Sequence, residues 1–376
     1  MVMSHRERVL TALDHREPDR VPIDFGGYPG ATSINILAYE KLKKYLNIDA
    51  DKETMIGSVT MFTAEIDEKI LDKFGVDTQY AMPSMRLSDF NSPETFQDKW
   101  KVTWQKTGAN TYSPVNGPFY KEKGTLADLE NFEWPQPREL VDIKKLKEKV
   151  EHLRQKTDRA LMAKLPMGIV TLGQILRGFE DWLYDLYSNR DFCEALLDSC
   201  SQIWMETSEL IAEAIGDQVD IFVWGDDYGF QNGPMLSPEM FRELVTFRNK
   251  RMLDLVKKKS KAKILLHCCG SIYRYLDDFV QMGIDALNPI QVSAKDMDPV
   301  RIKEKVGEQI SLWGAVGIDD IIKQTPNNIK EMVKRRIDEL SKNGGYVLSA
   351  THNLLTDVPV ENIVAIFEGA TEYGRY

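Results

Sequence analysis

The chain is poor in the features that would tie it to a membrane, to nucleic acid or to an oxidising compartment. No run approaches the ~18 consecutive apolar residues of a membrane-spanning helix, and the start, Met1-Val2-Met3-Ser4-His5-Arg6-Glu7-Arg8, has no signal-peptide core. Positive charge is in deficit: Lys and Arg total 48 against 58 Asp and Glu, a net charge of -10. That balance argues against non-specific binding to nucleic acid or to an anionic membrane surface, both of which need a basic face. A small anion in a local basic pocket remains compatible. Cysteine is scarce, at positions 193, 200, 268 and 269 only, and in a reducing cytosol none is expected in a disulfide. No G-x-G-x-x-G fingerprint, internal repeat, low-complexity stretch or clear interdomain linker occurs. The expectation is a cytoplasmic protein whose 376 residues, 43% of them hydrophobic, form one domain over 1–376.

What is present is an alternation of strand-like and helix-like segments, the signature of parallel βα units. Val21-Pro22-Ile23-Asp24-Phe25 reads as the first strand and a weaker one lies near Val76-Asp77-Thr78-Gln79. Further strands are expected at Ala160–Ala163, Asp220–Trp224, Lys263–Leu266, Ile284–Asn288, Ile310–Trp313 and Tyr346–Ser349. Between them, Ser237-Pro238-Glu239 starts a helix with an N-cap, an early proline and an early acid. Eight such strands with intervening helices predict a (β/α)₈ TIM barrel. Residues 85–140 break the pattern. With Trp100, Trp104, Tyr112, Tyr120 and Trp134 among prolines and glycines, they read as an aromatic-rich, β-rich insertion over one barrel face: a lid or partner surface on one reading, extra core on the other.

In such a barrel the chemistry sits at the C-terminal strand ends. Those positions are Asp24, Trp224 to Asp227, His267 to Gly270, Asn288 to Gln291, Trp313 to Gly317 and Ala350 to Asn353. Side chains alternate faces along a strand, so in His267-Cys268-Cys269-Gly270 the imidazole and the second thiol point one way and Cys268 the other. An imidazole beside a thiolate is half of a zinc site, although a buried cysteine is more often plain packing. His352, at the end of the last strand, would complete a His/Cys/His triad with an open fourth position; a hydrogen bond to mouth backbone is its blander role, and a carboxylate such as Asp226 or Asp227 is the competing third ligand. Of the adjacent Asp226 and Asp227, one at most is expected to face the site, as a general acid or as an orienting partner of a histidine. Gln231, Asn288, Gln291 and Asn353 are candidate substrate-binding amides, Asp24 a further polar contact, and Trp224, Tyr228 and Trp313 candidate flat walls.

The chain resembles the uroporphyrinogen decarboxylase superfamily. The likeness runs through Arg6-Glu7-Arg8-Val9-Leu10-Thr11-Ala12-Leu13, Pro18-Asp19-Arg20-Val21-Pro22, Leu176-Arg177-Gly178, Gly225-Asp226-Asp227 with Gln231-Asn232-Gly233-Pro234, and Ser237-Pro238-Glu239. It continues through His267-x-Cys269-Gly270, Asn288-Pro289-Ile290-Gln291, Gly344-Gly345-Tyr346 and Pro359-x-Glu361-Asn362. The resemblance implies either a tetrapyrrole decarboxylase or a zinc-dependent, corrinoid-dependent methyltransferase. Decarboxylases of the family carry arginines after the first strand to hold the tetrapyrrole carboxylates. Here the stretch from Asp24 to Ser33 has none, which would leave a polyanion unpaired. Thiol-methylating members bind zinc through His-x-Cys and a later Cys; His267 and Cys269 match, and His352 stands at the third position. The resemblance then implies transfer of a methyl group from a small methylated donor, above all a methoxylated aromatic, to the Co(I) corrinoid carried by a partner protein. Decarboxylation and methyl transfer to a thiol are the alternatives, and a monomer and a homodimer are both open.

Overall fold

The computed structural model describes residues 2–49, 51–121 and 123–376. Seven strands pair in chain order into one parallel sheet: β1 (Thr78–Tyr80), β2 (Ala160–Lys164), β3 (Ile221–Gly225), β4 (Lys263–His267), β5 (Ala286–Asn288), β6 (Ser311–Val316) and β7 (Tyr346–Ala350). The eighth wall is the stretch around Ile23. Its Asp24 N–H donates to the Leu348 carbonyl of β7 (2.9 Å), and the Ile23 carbonyl accepts the Asp77 N–H just before β1 (2.8 Å). The barrel is therefore closed, as expected of a TIM barrel, but the expected first strand is reduced to a single parallel bridge, Ile23 to Leu348. Two causes are local. Pro22 has no N–H to give a ladder, and the Ile23 N–H is taken by the Asp77 carboxylate (2.8 Å).

Strand alternation sorts the apolar residues into two layers. Met162, Ile221, Val223, Leu265, Ala286, Trp313 and Val347 point inward and pack with Tyr28 and Ala31 from above and Val9 and Leu13 from below. The latter two come from the helix His5–Leu13, opened by a Ser4/Glu7 capping box. Residues of the other parity, such as Trp224, Leu266 and Leu312, pack against the helices. Among the described residues no helix is long and apolar enough to cross a membrane.

The N-terminal end of the barrel is tied by buried charge. Asp77 accepts from His5 Nδ1 (2.7 Å), Arg8 Nη1 (2.6 Å) and Arg20 Nη1 (2.7 Å). Burial by itself would raise this carboxyl, but the hydrogen bond from His5 and the charges of Arg20 and Arg8 hold it below the usual range. A depressed carboxylate adds stability above its unfolded pKa and loses it as pH falls. Asp77→Asn is expected to cost about 3–5 kcal/mol at neutral pH, with the gap to wild type shrinking as denaturation is repeated below pH ~4. A pH-independent gap would mean that the charge is not what matters.

The segment 85–140 is β-rich, as its composition predicts. Thr95–Gln97, Thr103–Lys106 and Tyr112–Asn116 form an antiparallel sheet, and Met85–Arg86 joins a small sheet with Met55–Ser58 and Thr63–Glu65. Many of its aromatics extend the outer-layer core: Phe119 meets Phe132 and Trp134 and reaches Phe192 on the helix Arg190–Ile215.

Candidate metal centre at the barrel mouth

His267 ends β4 with the inward parity of Leu265, and Cys269, two residues on, faces the same side. The chain can do this because Gly270 turns it with φ +90° at a point where its backbone meets that of Gly229. Cys268, of opposite parity, is fully buried in the outer layer, its sulfur accepting the Tyr228 N–H at 3.4 Å. His352 follows β7 and turns its ring toward His267, with centroids 5.8 Å apart. Ligand atoms of His267, Cys269 and His352 all lie within 4.8 Å of one another, and Cys269 Sγ is 3.3 Å from His267 Nε2. Tetrahedral zinc, with bonds of about 2.3 Å to sulfur and about 2.0–2.1 Å to nitrogen, sets such atoms roughly 3.5 Å apart. The donor set fits one ion, with the His267–Cys269 pair near that spacing and His352 within 4.8 Å of both.

The second nitrogen of His267 is committed. Nδ1 lies 2.6 Å from Asn288 Oδ1 at the end of β5. An amide oxygen only accepts, so in this contact Nδ1 is the donor and Nε2 is the ring nitrogen turned toward Cys269. Burial, together with the neighbouring His267, pushes His352 down to about 4, so at neutral pH its ring is an uncharged imidazole with a free lone pair. Asn288→Ala is expected to weaken zinc affinity about 10- to 100-fold without unfolding the barrel, read by competition with a chromogenic chelator; unchanged affinity would mean that the amide does not orient the ring.

The two aspartates point to different partners. Asp227 Oδ1 accepts the Cys269 N–H at 2.8 Å and so borders the triad. Asp226 turns away: its carboxylate accepts from the Val170 N–H (3.2 Å), the Thr171 N–H (2.7 Å) and hydroxyl (2.9 Å), and the Tyr228 hydroxyl (2.9 Å). It thus caps the helix Ile169–Arg177, and burial pushes it up to about 7 against the pull of those donors.

The remaining expected contacts are mostly structural, which corrects the reading of them as open substrate contacts. Trp224, Tyr228 and Trp313 are each 0% exposed. Trp224 has outer-layer parity, and Tyr228 packs among Phe241, Tyr275 and Phe279 with its hydroxyl on Asp226. Trp313 points into the barrel, where its Nε1 donates to Asp24 Oδ2 (2.9 Å). Asp24 is also saturated by the Thr78 hydroxyl (2.6 Å) and the Gly27 N–H (2.9 Å). Asn353 braces the preceding loop, accepting from Ser33 N–H and donating to the Gly30 carbonyl. Gln291 accepts the Gly270 N–H (2.8 Å) and donates to Gln231, which in turn donates to the Ser293 carbonyl. Those two amides pin the turn that carries Cys269.

One mouth residue escaped the sequence reading. Tyr28, in the loop after the first wall, has its ring 5.9 Å from that of His267, edge to face. A Cβ on Gly225 would lie 3.0 Å from its hydroxyl, so Gly225 is the gap through which the phenol reaches the site. Burial, with Asp227 and Cys269 nearby, raises its ionisation well above the ordinary tyrosine value. The hydroxyl therefore keeps its proton and acts as a donor. Its only sequence signal was its place, four residues beyond Asp24 in a glycine-rich loop.

The chain is similar over its whole length to the solved structure of a methyltransferase from Methanosarcina mazei, at 19% identity, with 99% of each chain covered and a TM-score of 0.67. At that identity the likeness speaks to the fold. No curated protein matches the chain. The family model for uroporphyrinogen decarboxylase (URO-D) matches residues 108–373, most of the barrel and all three candidate ligands, and the chain belongs to the uroporphyrinogen decarboxylase family.

Proposed function

We propose that this protein is a methyltransferase that moves a methyl group from a methoxylated aromatic donor to the Co(I) corrinoid of a partner protein in the cytoplasm, with zinc held by His267, Cys269 and His352. The observation that carries the reading is the composition of the triad: two imidazoles and one thiol at the mouth of a barrel of this family. Similarity of fold to a methyltransferase supports it. When bound, zinc with a single thiolate supplies a cationic centre that polarises an ether oxygen.

The protein's own groups then have definite tasks. Asn288 fixes the His267 ring, and Asp227 holds the Cys269 backbone. The Tyr28 hydroxyl, which retains its proton, faces the same space and is placed to donate a hydrogen bond to the oxygen that leaves. Asp226 is spent on the helix cap, so in this proposal it positions the Thr171 and Tyr228 loops rather than transferring a proton. The insertion follows β1 and meets the turn Leu165–Met167 after β2, and we assign to it part of the surface on which the corrinoid protein docks.

The absence of arginine between Asp24 and Ser33 argues against a tetrapyrrole polyanion, and the single thiolate argues against methyl transfer to a thiol. The test is a spectrum. Zinc-loaded protein, mixed with its reduced corrinoid partner and a panel of methoxyarenes, is expected to bleach the Co(I) band and release the matching phenol. If no methoxyarene does so, while uroporphyrinogen is decarboxylated or coenzyme M is methylated, the proposal fails.

A further inference from the structure

A second space lies away from the triad. A cavity of about 730 Å³ lies under the insertion, between the turn Leu165–Met167 after β2 and the inner face of the helix Arg190–Ile215. None of His267, Cys269 and His352 lines it. Its walls are apolar and largely aromatic, with Phe90, Phe96, Trp100 and Trp104 from the insertion facing Trp204 of the long helix. A space of this size holds a small organic molecule with most of its surface covered.

One charged side chain lining this cavity has no protein partner. Lys164, the last residue of β2, makes no ion pair or hydrogen bond among the described residues, and its amine is driven toward neutrality by burial alone. An unpaired ammonium in apolar surroundings is costly unless something else satisfies it. The acids nearby do not. Asp98 spends its carboxylate on the Trp100 and Val102 N–H groups and the Trp104 indole, and Asp89 stands exposed at the rim.

We propose that this chamber binds a small aromatic carboxylate, its ring between the tryptophan and phenylalanine walls and its carboxylate paired with Lys164. The aromatic walls select a flat body, because stacked and edge-on rings gain beyond simple burial. The lone lysine selects one negative charge, because a carboxylate restores to it the partner that the fold withholds. The inference does not depend on methyl transfer, since no ligand of the triad takes part.

The test uses the full-length protein after EDTA treatment, without corrinoid, titrated with 4-methoxybenzoate and separately with its methyl ester. Calorimetry and quenching of the tryptophans in the cavity wall report binding. The acid is expected to bind saturably and the neutral ester at least about tenfold more weakly, as expected for loss of one charge-assisted contact. Lys164→Met is expected to bring acid and ester to the same affinity, and Lys164→Arg to restore part of the preference. The acid-against-ester comparison needs no variant, so it stands even if Lys164→Met folds poorly. Equal binding of acid and ester, no saturable binding of the acid, or an unchanged preference in a folded Lys164→Met protein would each overturn the proposal. Because zinc and corrinoid are absent, a failed methyl-transfer assay leaves this result untouched.

Discussion

Cys269→Ala is expected to purify with zinc at background level and to methylate the corrinoid about a thousandfold or more slower than wild type. An outer partner of a metal ligand is worth about 10- to 100-fold in affinity, and Cys269 is itself a ligand and the single thiol of the triad. Removing it leaves two neutral imidazoles, which lack the charge that makes a zinc site with sulfur tight. The adjacent thiol does not rescue the loss. Cys268 is fully buried on the outer face and its sulfur holds the Tyr228 N–H, so reaching the triad would require inverting the strand end. Cys268→Ala is the control, with zinc retained and at most a packing loss. Metal analysis of the two variants beside wild type checks both statements. Zinc kept by Cys269→Ala and lost by Cys268→Ala would reverse the assignment of faces.

Gly270→Ala is expected to be nearly as damaging, although no ligand is touched. The residue has φ +90°, where a side chain is strained, and an added Cβ would stand 2.4 Å from the Gly229 carbonyl oxygen and 2.5 Å from its carbon. Neither side yields cheaply. The Gly270 N–H is bound to Gln291, the next N–H donates to the Phe230 carbonyl (2.8 Å), and Phe230 and Gly233 are paired in a hairpin. Strain at such a position costs of order 1–3 kcal/mol before any overlap is counted. The variant is therefore expected to lose about 3 kcal/mol or more of stability and, because the displaced turn carries Cys269, about 10- to 100-fold in zinc affinity. Chemical denaturation and zinc competition measure the two effects. A variant with wild-type melting and wild-type zinc affinity would show that the close approach of the two glycines is not needed.

How much of this was legible in the sequence depended on whether the determinant was local. The separation of His267 and Cys269 from Cys268 follows from strand parity, which is a property of three consecutive residues. The place of His352 follows from the strand before it. Trp224 was readable by the same rule: in the parallel register it lies beside Leu266 while Gly225 lies beside His267, so its position at a strand end said how high it sits but its parity said that it faces the helices. The role of Asp226 was not readable, because it depends on a helix N-terminus more than fifty residues earlier in the chain. Tyr28 was hidden for a related reason. It stands in a loop with no periodicity, and only the return of that loop across the barrel brings its hydroxyl over the glycine at position 225. The first strand was over-read because its proline and the competing Asp77 carboxylate remove the ladder bonds that its apolar pattern suggests.

The charge count of the site is the point on which the functional reading turns. One thiolate with two neutral imidazoles leaves a bound zinc with net positive charge, suited to drawing electron density from an oxygen; two thiolates would neutralise it and favour delivery of a bound sulfur nucleophile. X-ray absorption at the zinc edge of the reconstituted protein counts these atoms directly. The account predicts one sulfur near 2.3 Å and two imidazole nitrogens near 2.0–2.1 Å, with one further light scatterer in the open position. Two sulfur atoms in the zinc shell, or a protein that takes up no stoichiometric zinc, would contradict it.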